Sequence, residues 1–315
     1  MLLISCGTNE AKFVFKIPNG FDEPDLMGDK ELTYLKVSLG EKLFFDPLLS
    51  SDSTISCGSC HQPNLAFTDG KRLSTGVNNR KGKRNSPTLL NLAWSKRLLA
   101  DGGVNSIETQ MLVPISDHNE MNSSIPQIIQ KLNRDEYYIE VFHQVFDRKP
   151  DAFGLTRAIS AYIRTLVSGN SRWDAFVAGD TAALSVEEKN GMDLFYSSEL
   201  NCTSCHSGYL FTNHTFQNNG LYLNYQDSGR ALITYKSEDL NKFKVPTLRN
   251  IELTAPYMHD GNFNSLEKVV EHYSKGGEPH MNKSSKISPL DLTCIEKQEL
   301  VAFLKSLTDL SIINQ

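Results

Sequence analysis

Two short motifs place a histidine directly after a pair of closely spaced cysteines. In each motif two residues separate the cysteines, and the histidine follows the second one. Two thiols at this spacing can form thioethers with both vinyl groups on one porphyrin edge, while the adjacent imidazole binds the iron. The first motif supplies Cys57, Cys60 and His61, and the second supplies Cys202, Cys205 and His206. The pattern predicts two covalently bound c-type haems, each with the histidine of its motif as proximal ligand.

Two other readings of paired cysteines fit less well. A structural zinc site would need the four thiols together, whereas the two pairs lie in separate halves of the chain. A dithiol oxidoreductase would need no histidine at this position and would favour a βαβ context. Haem is therefore the favoured cofactor. Because such haems are attached outside the cytoplasm, the motifs also predict an exported protein.

The second axial ligand of each iron decides whether the haem transfers electrons or binds a small molecule such as peroxide. No histidine lies between His61 and His118, so the first haem has few protein ligands to choose from. Its candidates are Met111, His118 and Met121, or an open position. The candidates in the second half of the chain are Met258, His259, His272 and Tyr273.

The chain carries an internal repeat around these motifs. Three sequence blocks of the first half recur in the same order in the second half, which predicts two copies of one structural unit. The matched blocks are 40–45 with 191–196, 66–69 with 210–213, and 161–166 with 302–307.

The elements that position the motifs are predicted to be helices. Ser185 with Glu188, and Thr293 with Glu296, form capping boxes that open two helices. The second of these carries apolar residues at helical spacing, and Cys294 within it is expected to be a buried apolar side chain. No region shows sustained alternation, so the fold class is all-α: two tandem cytochrome c-type domains with long loops and with the haems near their interface. The predicted division is a lead-in over 1–30, a first domain over 31–168 and a second over 185–309.

Composition excludes several functions. The net charge of the 315 residues is −5 and no basic stripe appears, which argues against a nucleic-acid partner. No apolar run approaches the length of a membrane span. Small and aliphatic residues lead directly into Cys6, as in the anchoring signal of a lipoprotein. We therefore expect a periplasmic protein that is anchored through a lipidated Cys6.

Four longer stretches together resemble the bacterial di-haem cytochrome c peroxidases and their MauG-type relatives. The stretches are Leu39–Pro47, Arg84–Asn91, Phe243–Asn250 and Ala255–Gly261, and the resemblance runs from about Lys16 to Asp309. It implies an oxidoreductase that acts on hydrogen peroxide at the first haem and receives electrons through the second.

The resemblance also implies roles for residues around the first haem. Gln110, Pro114 and Glu120 match the glutamine, the proline and the catalytic glutamate of the family's distal pocket. Ordinary members carry a histidine that caps the resting first haem, and Val77 stands in its place here. The first haem is therefore expected to be open without prior reduction.

Around the second haem the chain resembles the MauG-type members. Tyr273 lies fourteen residues after His259, where the peroxidases have a methionine ligand and MauG-type enzymes a tyrosine. Tyr273 is thus expected to be the iron ligand, and Met258 is the alternative. One departure concerns the tryptophan that lies between the haems in the family, because Ala100 takes its place. Trp94 cannot be assumed to replace it.

The resemblance further implies one Ca²⁺, bound by the Asn85 side chain and the backbone carbonyls of Thr254 and Pro256. Oxygen ligands of this kind suit a hard cation. The expected partners are hydrogen peroxide and a small exported electron donor such as a cytochrome c. Two alternatives remain, a MauG-type oxidase that modifies a partner protein and a non-enzymatic electron carrier. Relatives of both monomeric and dimeric form leave a homodimer open.

Overall fold

A computed structural model describes residues 11–24 and 32–314, and most of its regular structure is helical. Cys6 and its proposed lipid anchor lie outside the described residues. Within them, no helix is both long and apolar enough to cross a membrane. The helices are α1 Tyr34–Phe45, α2 Ile107–Gln110, α3 Leu112–Ser116, α4 Ile125–Leu132, α5 Glu136–Phe146, α6 Ala152–Thr165, α7 Arg172–Val177, α8 Val186–Tyr196, α9 Ala231–Thr234, α10 Leu266–Ser274 and α11 Cys294–Ser306.

Strands are as few as the sequence predicts. In the described part of the chain, one antiparallel sheet joins β1 (Phe216–Gln217) to β2 (Phe243–Lys244), with Phe216 opposite Lys244. The remaining segments are loops with single 3₁₀ turns, and both CxxCH motifs begin in such turns. The helical fold class is therefore confirmed.

The same helix crossing occurs in both halves of the chain. Helix α1 packs on α6, and α8 packs on α11. A Cβ atom added at Gly40 would lie 1.9 Å from the Ala158 carbonyl oxygen, and one added at Gly191 would lie 1.9 Å from that of Glu299. Each crossing thus brings two backbones into contact at a glycine that belongs to the repeated sequence block. Such equivalent crossings are what a duplicated unit would produce.

Both predicted capping boxes are present. The Ser185 side chain accepts a hydrogen bond from the Glu188 N–H, and the Glu188 carboxylate accepts one from the Ser185 N–H. Thr293 and Glu296 form the same pair at α11. The prediction for Cys294 is wrong, because this residue is exposed. It opens α11, whose buried face starts only at Leu300.

Two hydrophobic cores hold the helices together. The first draws on α1, α3, α4, α5 and α6 and includes the buried rings of Phe44 and Phe142. The second draws on α8, α10 and α11 and includes Phe211 and Phe303, neither of which is exposed. The segment 169–184, which lies between the two predicted domains, contributes Trp173 to the edge of the second core.

A reciprocal pair of backbone hydrogen bonds joins the two halves. The Asn85 N–H donates to the His259 carbonyl at 2.9 Å, and the Lys244 N–H donates to the Ala100 carbonyl at 2.7 Å. Asn85 and Lys244 occupy the same position in the two copies of the proline-threonine-leucine stretch. Arg84 strengthens the contact through its ion pair with Asp227, with Nε to Oδ2 at 2.6 Å. Each half thus contacts the equivalent turn of the other.

Candidate functional site

A backbone carbonyl fixes the orientation of the first motif's histidine. The motif folds as a 3₁₀ turn, with the His61 N–H bonded to the Cys57 carbonyl at 3.0 Å. The His61 Nδ1 lies 2.8 Å from the Phe67 carbonyl oxygen, so this nitrogen carries the proton and donates it. Burial lowers the pKa of His61 and keeps the ring neutral. Its Nε2 lone pair is left free for a metal.

The second motif has the same geometry. The His206 Nδ1 lies 3.0 Å from the Phe211 carbonyl oxygen, and burial lowers the pKa of His206 in the same way. The loop after each histidine is held by a threonine hydroxyl. Thr88 donates to the Ala66 carbonyl at 2.7 Å, and Thr247 donates to the Leu210 carbonyl at 2.6 Å. The chain therefore builds two equivalent histidine sites.

The cysteines of both motifs suit covalent attachment better than thiolate chemistry. All four thiols are free and partly buried. Burial raises the pKa of Cys57 to about 12 and that of Cys202 to about 11, which is unlike a reactive dithiol. No group of three or more His, Cys, Asp or Glu side chains in the described residues is placed to hold a metal ion by itself. The donor set of two thiols and one free imidazole nitrogen fits a c-type haem.

Glu120 lies close to the first motif. Its carbonyl accepts a hydrogen bond from the Val77 N–H at 2.9 Å, and a Cβ added at Gly76 would lie 2.5 Å from the same oxygen. Burial is the main cause of the raised pKa of the Cys60 thiol, and the Glu120 charge raises it further. The pKa of Glu120 itself is raised by burial and by the nearby Asp117. The site therefore holds a carboxyl group with an elevated pKa.

Helices α2 and α3 carry the other two predicted pocket residues. Gln110 ends α2, and its buried Oε1 has no hydrogen-bond partner among the described residues. Such an atom is available to a bound ligand. The Pro114 carbonyl in α3 accepts a hydrogen bond from the N–H of Met121, the residue after Glu120, at 3.1 Å. The turn that bears the carboxyl is thereby tied to α3.

The alternative ligands of the first iron have other surroundings. Met111 and Met121 belong to the first hydrophobic core, where they are 5% and 3% exposed. His118 is exposed, and its Nδ1 lies 3.2 Å from atoms of both Arg80 and Asn122. Val77, in the position of the family's capping histidine, is buried. His118 is thus engaged by other groups, and the open position on the first iron stays a prediction.

Tyr273 and Met258 both lie at the second motif. Burial is the main cause of the raised pKa of the Tyr273 hydroxyl, and the thiols of Cys205 and Cys202 raise it further, so the hydroxyl lies near both attachment points. The Met258 sulfur accepts a hydrogen bond from the Asn219 amide at 3.2 Å. Both side chains therefore remain candidates for the iron.

The two histidines considered for the second iron are engaged elsewhere. The His259 ring stacks on Phe243 with centroids 4.0 Å apart, and the His272 Nε2 lies 3.0 Å from the Asn219 carbonyl oxygen. The contact partner Asn219 was not found by sequence reasoning, because a loop asparagine between two motifs carries no recognisable signal.

Comparisons with known proteins agree with this geometry. Residues 35–182 match the profile of the di-haem cytochrome c peroxidases. The chain is 37% identical to the methylamine utilization protein MauG of Methylorubrum extorquens over 280 residues, which are 88% of this chain and 79% of that protein. This chain belongs to the di-haem cytochrome c peroxidase family. The predicted enzyme class, an oxidoreductase of the cytochrome c peroxidase type with two covalently bound haem c groups, is confirmed by this membership.

Other relatives extend the similarity. The cytochrome c551 peroxidase of Nitrosomonas europaea is 36% identical over 276 residues, covering 86% of this chain and 79% of that protein. The crystal structure of a MauG-like protein associated with microbial copper homeostasis has a TM-score of 0.91 and 34% identity, covering 96% of this chain and 97% of that one. The likeness thus spans both halves of the molecule.

The calcium ligands implied by the family stay a prediction. The Asn85 side-chain amide donates to the Lys71 carbonyl at 2.9 Å. The Asn85 backbone N–H donates to the carbonyl of His259, which lies three residues after Pro256. The Thr254 hydroxyl donates to the Ile251 carbonyl at 3.2 Å. Asn85 therefore lies beside the segment that carries Pro256.

Ala100 stands in the position of the family's inter-haem tryptophan. Its carbonyl accepts a hydrogen bond from the Lys244 N–H, one of the two that link the halves. Trp94 is buried elsewhere, where its Nε1–H donates to the Asp22 carbonyl at 2.7 Å and its ring contacts Phe21 with centroids 5.1 Å apart. Trp94 therefore does not occupy the missing position.

Replacing Tyr273 with Phe tests the predicted iron ligand. If the phenolate binds the second iron, Tyr273→Phe should remove the tyrosinate features from the ferric absorption and EPR spectra. The reduction potential should rise by on the order of 0.1 V, within the roughly 0.8 V that axial ligands span. The control Met258→Leu should leave both unchanged. A wild-type spectrum in Tyr273→Phe, or a changed one in Met258→Leu, would assign the ligand to Met258 or another group.

Proposed function

We propose that this protein is a di-haem peroxidase that reduces hydrogen peroxide at the first haem and receives electrons through the second. The reaction consumes two electrons and two protons and yields two molecules of water. When bound through Cys57, Cys60 and His61, the first haem would supply an iron that can react with peroxide. The observation that carries the proposal is the Glu120 carboxyl near this motif, whose pKa is raised by burial.

Glu120 is placed to move the proton that peroxide cleavage requires. As the carboxylate it would accept a proton from one peroxide oxygen and return it to the other, which leaves as water. A pKa raised towards neutrality suits both halves of this transfer. The unpartnered Oε1 of Gln110 can accept a hydrogen bond from the peroxide and orient it. Pro114 shapes the pocket by holding the turn that bears Glu120.

The arrangement of the halves supports an electron path between the haems. We place two cytochrome c-type units on either side of the reciprocal hydrogen bonds, with the haems near this interface. A small exported donor such as a cytochrome c would reduce the second haem. The protein would act in the periplasm, anchored through Cys6.

A second candidate function is the oxidation of a partner protein, as in MauG-type enzymes. Two observations favour it, namely Tyr273 at the second motif and a valine at the position of the capping histidine. The loss of the bridging aromatic at Ala100 weighs against it. Turnover of peroxide with reduced cytochrome c as the sole donor distinguishes the two, because only the peroxidase sustains it.

Removing the Glu120 charge tests the proposed function. Glu120→Gln keeps the size of the side chain but abolishes proton transfer, and peroxide turnover should fall by about 10²- to 10⁴-fold. The measurement is steady-state oxidation of a reduced donor at saturating peroxide. The exposed Glu187→Gln serves as the matched control and should retain full turnover. Unchanged turnover in Glu120→Gln would remove this residue from the mechanism.

The pH dependence of peroxide turnover also tests Glu120, through a substitution at the neighbouring Asp117. Because Glu120 must be ionised to accept the proton, turnover should fall as the pH drops through its raised pKa. Asp117→Asn removes a negative charge that raises this pKa, so the acid limb of kcat/KM for peroxide should move to lower pH. The asparagine can still accept the hydrogen bond that Asp117 takes from the Asn119 N–H at 2.7 Å. An acid limb that stays in place or moves to higher pH would contradict the assignment.

A further inference from the structure

One loop asparagine lies close to both candidate ligands of the second iron. Asn219 follows β1, and its Nδ2 lies 3.2 Å from the Met258 sulfur. The same side chain lies near the Tyr273 hydroxyl, and the Asn219 carbonyl accepts a hydrogen bond from the ring of His272, the residue before Tyr273. An amide nitrogen carries two hydrogens, so it can serve a sulfur and a phenol oxygen at once. The residue therefore stands between the two groups that compete for one iron.

The backbone around Asn219 is held on several sides. Its carbonyl accepts a hydrogen bond from the His272 ring at 3.0 Å, next to Tyr273 in α10. A Cβ added at Gly277 would lie 2.7 Å from the same carbonyl oxygen, which leaves room only for glycine. The following residue, Gly220, accepts a hydrogen bond from the Glu278 N–H at 2.7 Å. The backbone that carries the Asn219 side chain is therefore held in place.

Met258 lies in a turn whose backbone is also fixed. Its φ is +76°, a left-handed conformation that a bulky side chain rarely adopts. The Gly261 N–H donates to the Met258 carbonyl at 3.1 Å and closes the turn. The main chain of this turn is therefore held in place, and rotation of the flexible Met258 side chain is what the amide contact restrains.

The geometry points to Asn219 as the positioning residue that selects the axial ligand of the second haem. It holds the Met258 thioether away from the iron and presents the Tyr273 oxygen in its place. This inference rests on the proposed function, in which Tyr273 is the ligand. Asn219 needs no contact with the haem to act, because it works through the Met258 side chain that it bonds and the Tyr273 side chain beside it.

The choice of ligand has a redox consequence. An anionic oxygen ligand stabilises the ferric iron and lowers its reduction potential, whereas a thioether raises it. Groups that hydrogen-bond to a ligand orient it and tune the metal. With its sulfur bonded to the Asn219 amide, Met258 stays off the second iron. The second haem then keeps the ligand set that gives the lower reduction potential.

The test is Asn219→Leu in the protein with both haems attached, which removes the amide but keeps the branched shape of the side chain. We expect the far-red absorption band of methionine-ligated ferric haem to appear and the potential of the second haem to rise. Both changes should disappear in Asn219→Leu with Met258→Leu. Asn219→Gln keeps an amide donor and should restore the wild-type spectrum. These are spectroscopic readouts that a general loss of stability would not produce.

A second variant guards against misfolding. Asn219→Asp has the same shape but replaces the donating nitrogen by an acceptor oxygen, and it should change the spectrum in the same direction. If Asn219→Leu and Asn219→Asp both keep the wild-type spectrum and potential, or if Met258→Leu does not reverse the change, the inference is overturned. A wild-type spectrum without tyrosine ligation would overturn the ligand assignment as well. Failure of peroxide turnover alone would affect only the proposed function.

Discussion

The hydrogen bond from each proximal histidine to a backbone carbonyl is the interaction on which the rest of the site depends. His61 and His206 donate through Nδ1 to Phe67 and Phe211, and this bond fixes both the tautomer and the ring plane. The carbonyls are in place because the loop after each motif is held by a threonine from the proline-threonine-leucine stretch. Without this restraint the imidazole would have no fixed direction in which to present Nε2.

Duplication explains why the two histidine sites are alike, and divergence explains why the other side chains near the two motifs are not. The glycine helix crossings, the histidine bonds and the reciprocal hydrogen bonds between the halves all occur twice. The other side chains near the two motifs differ. Near the first motif lies Glu120, a carboxyl whose pKa is raised by burial, and near the second lie Tyr273, Met258 and the Asn219 amide. One copy thus suits proton transfer to a small ligand and the other suits a tuned electron-transfer centre.

Much of this could be predicted from the sequence, because several features are local. The CxxCH motifs, the repeated blocks and the capping boxes each lie within a few residues, so their physical meaning is readable without a fold. Burial was harder to predict, as Cys294 shows, because helical spacing does not reveal where the apolar face of a helix begins. Asn219 could not be found at all. Its contact with Met258 and its proximity to Tyr273 join positions far apart in the chain, and only the loop after β1 brings them together.

We propose that the iron held by His61 has an open coordination position and that the Glu120 carboxyl stands near it. EPR spectroscopy of the fully oxidised protein tests this most directly, because high-spin and low-spin ferric haems give distinct signals. We expect a high-spin signal from the first haem and a low-spin signal from the second. Added cyanide should convert the high-spin signal to a low-spin one. Two low-spin signals that cyanide leaves unchanged would show a protein ligand on both irons and would contradict it.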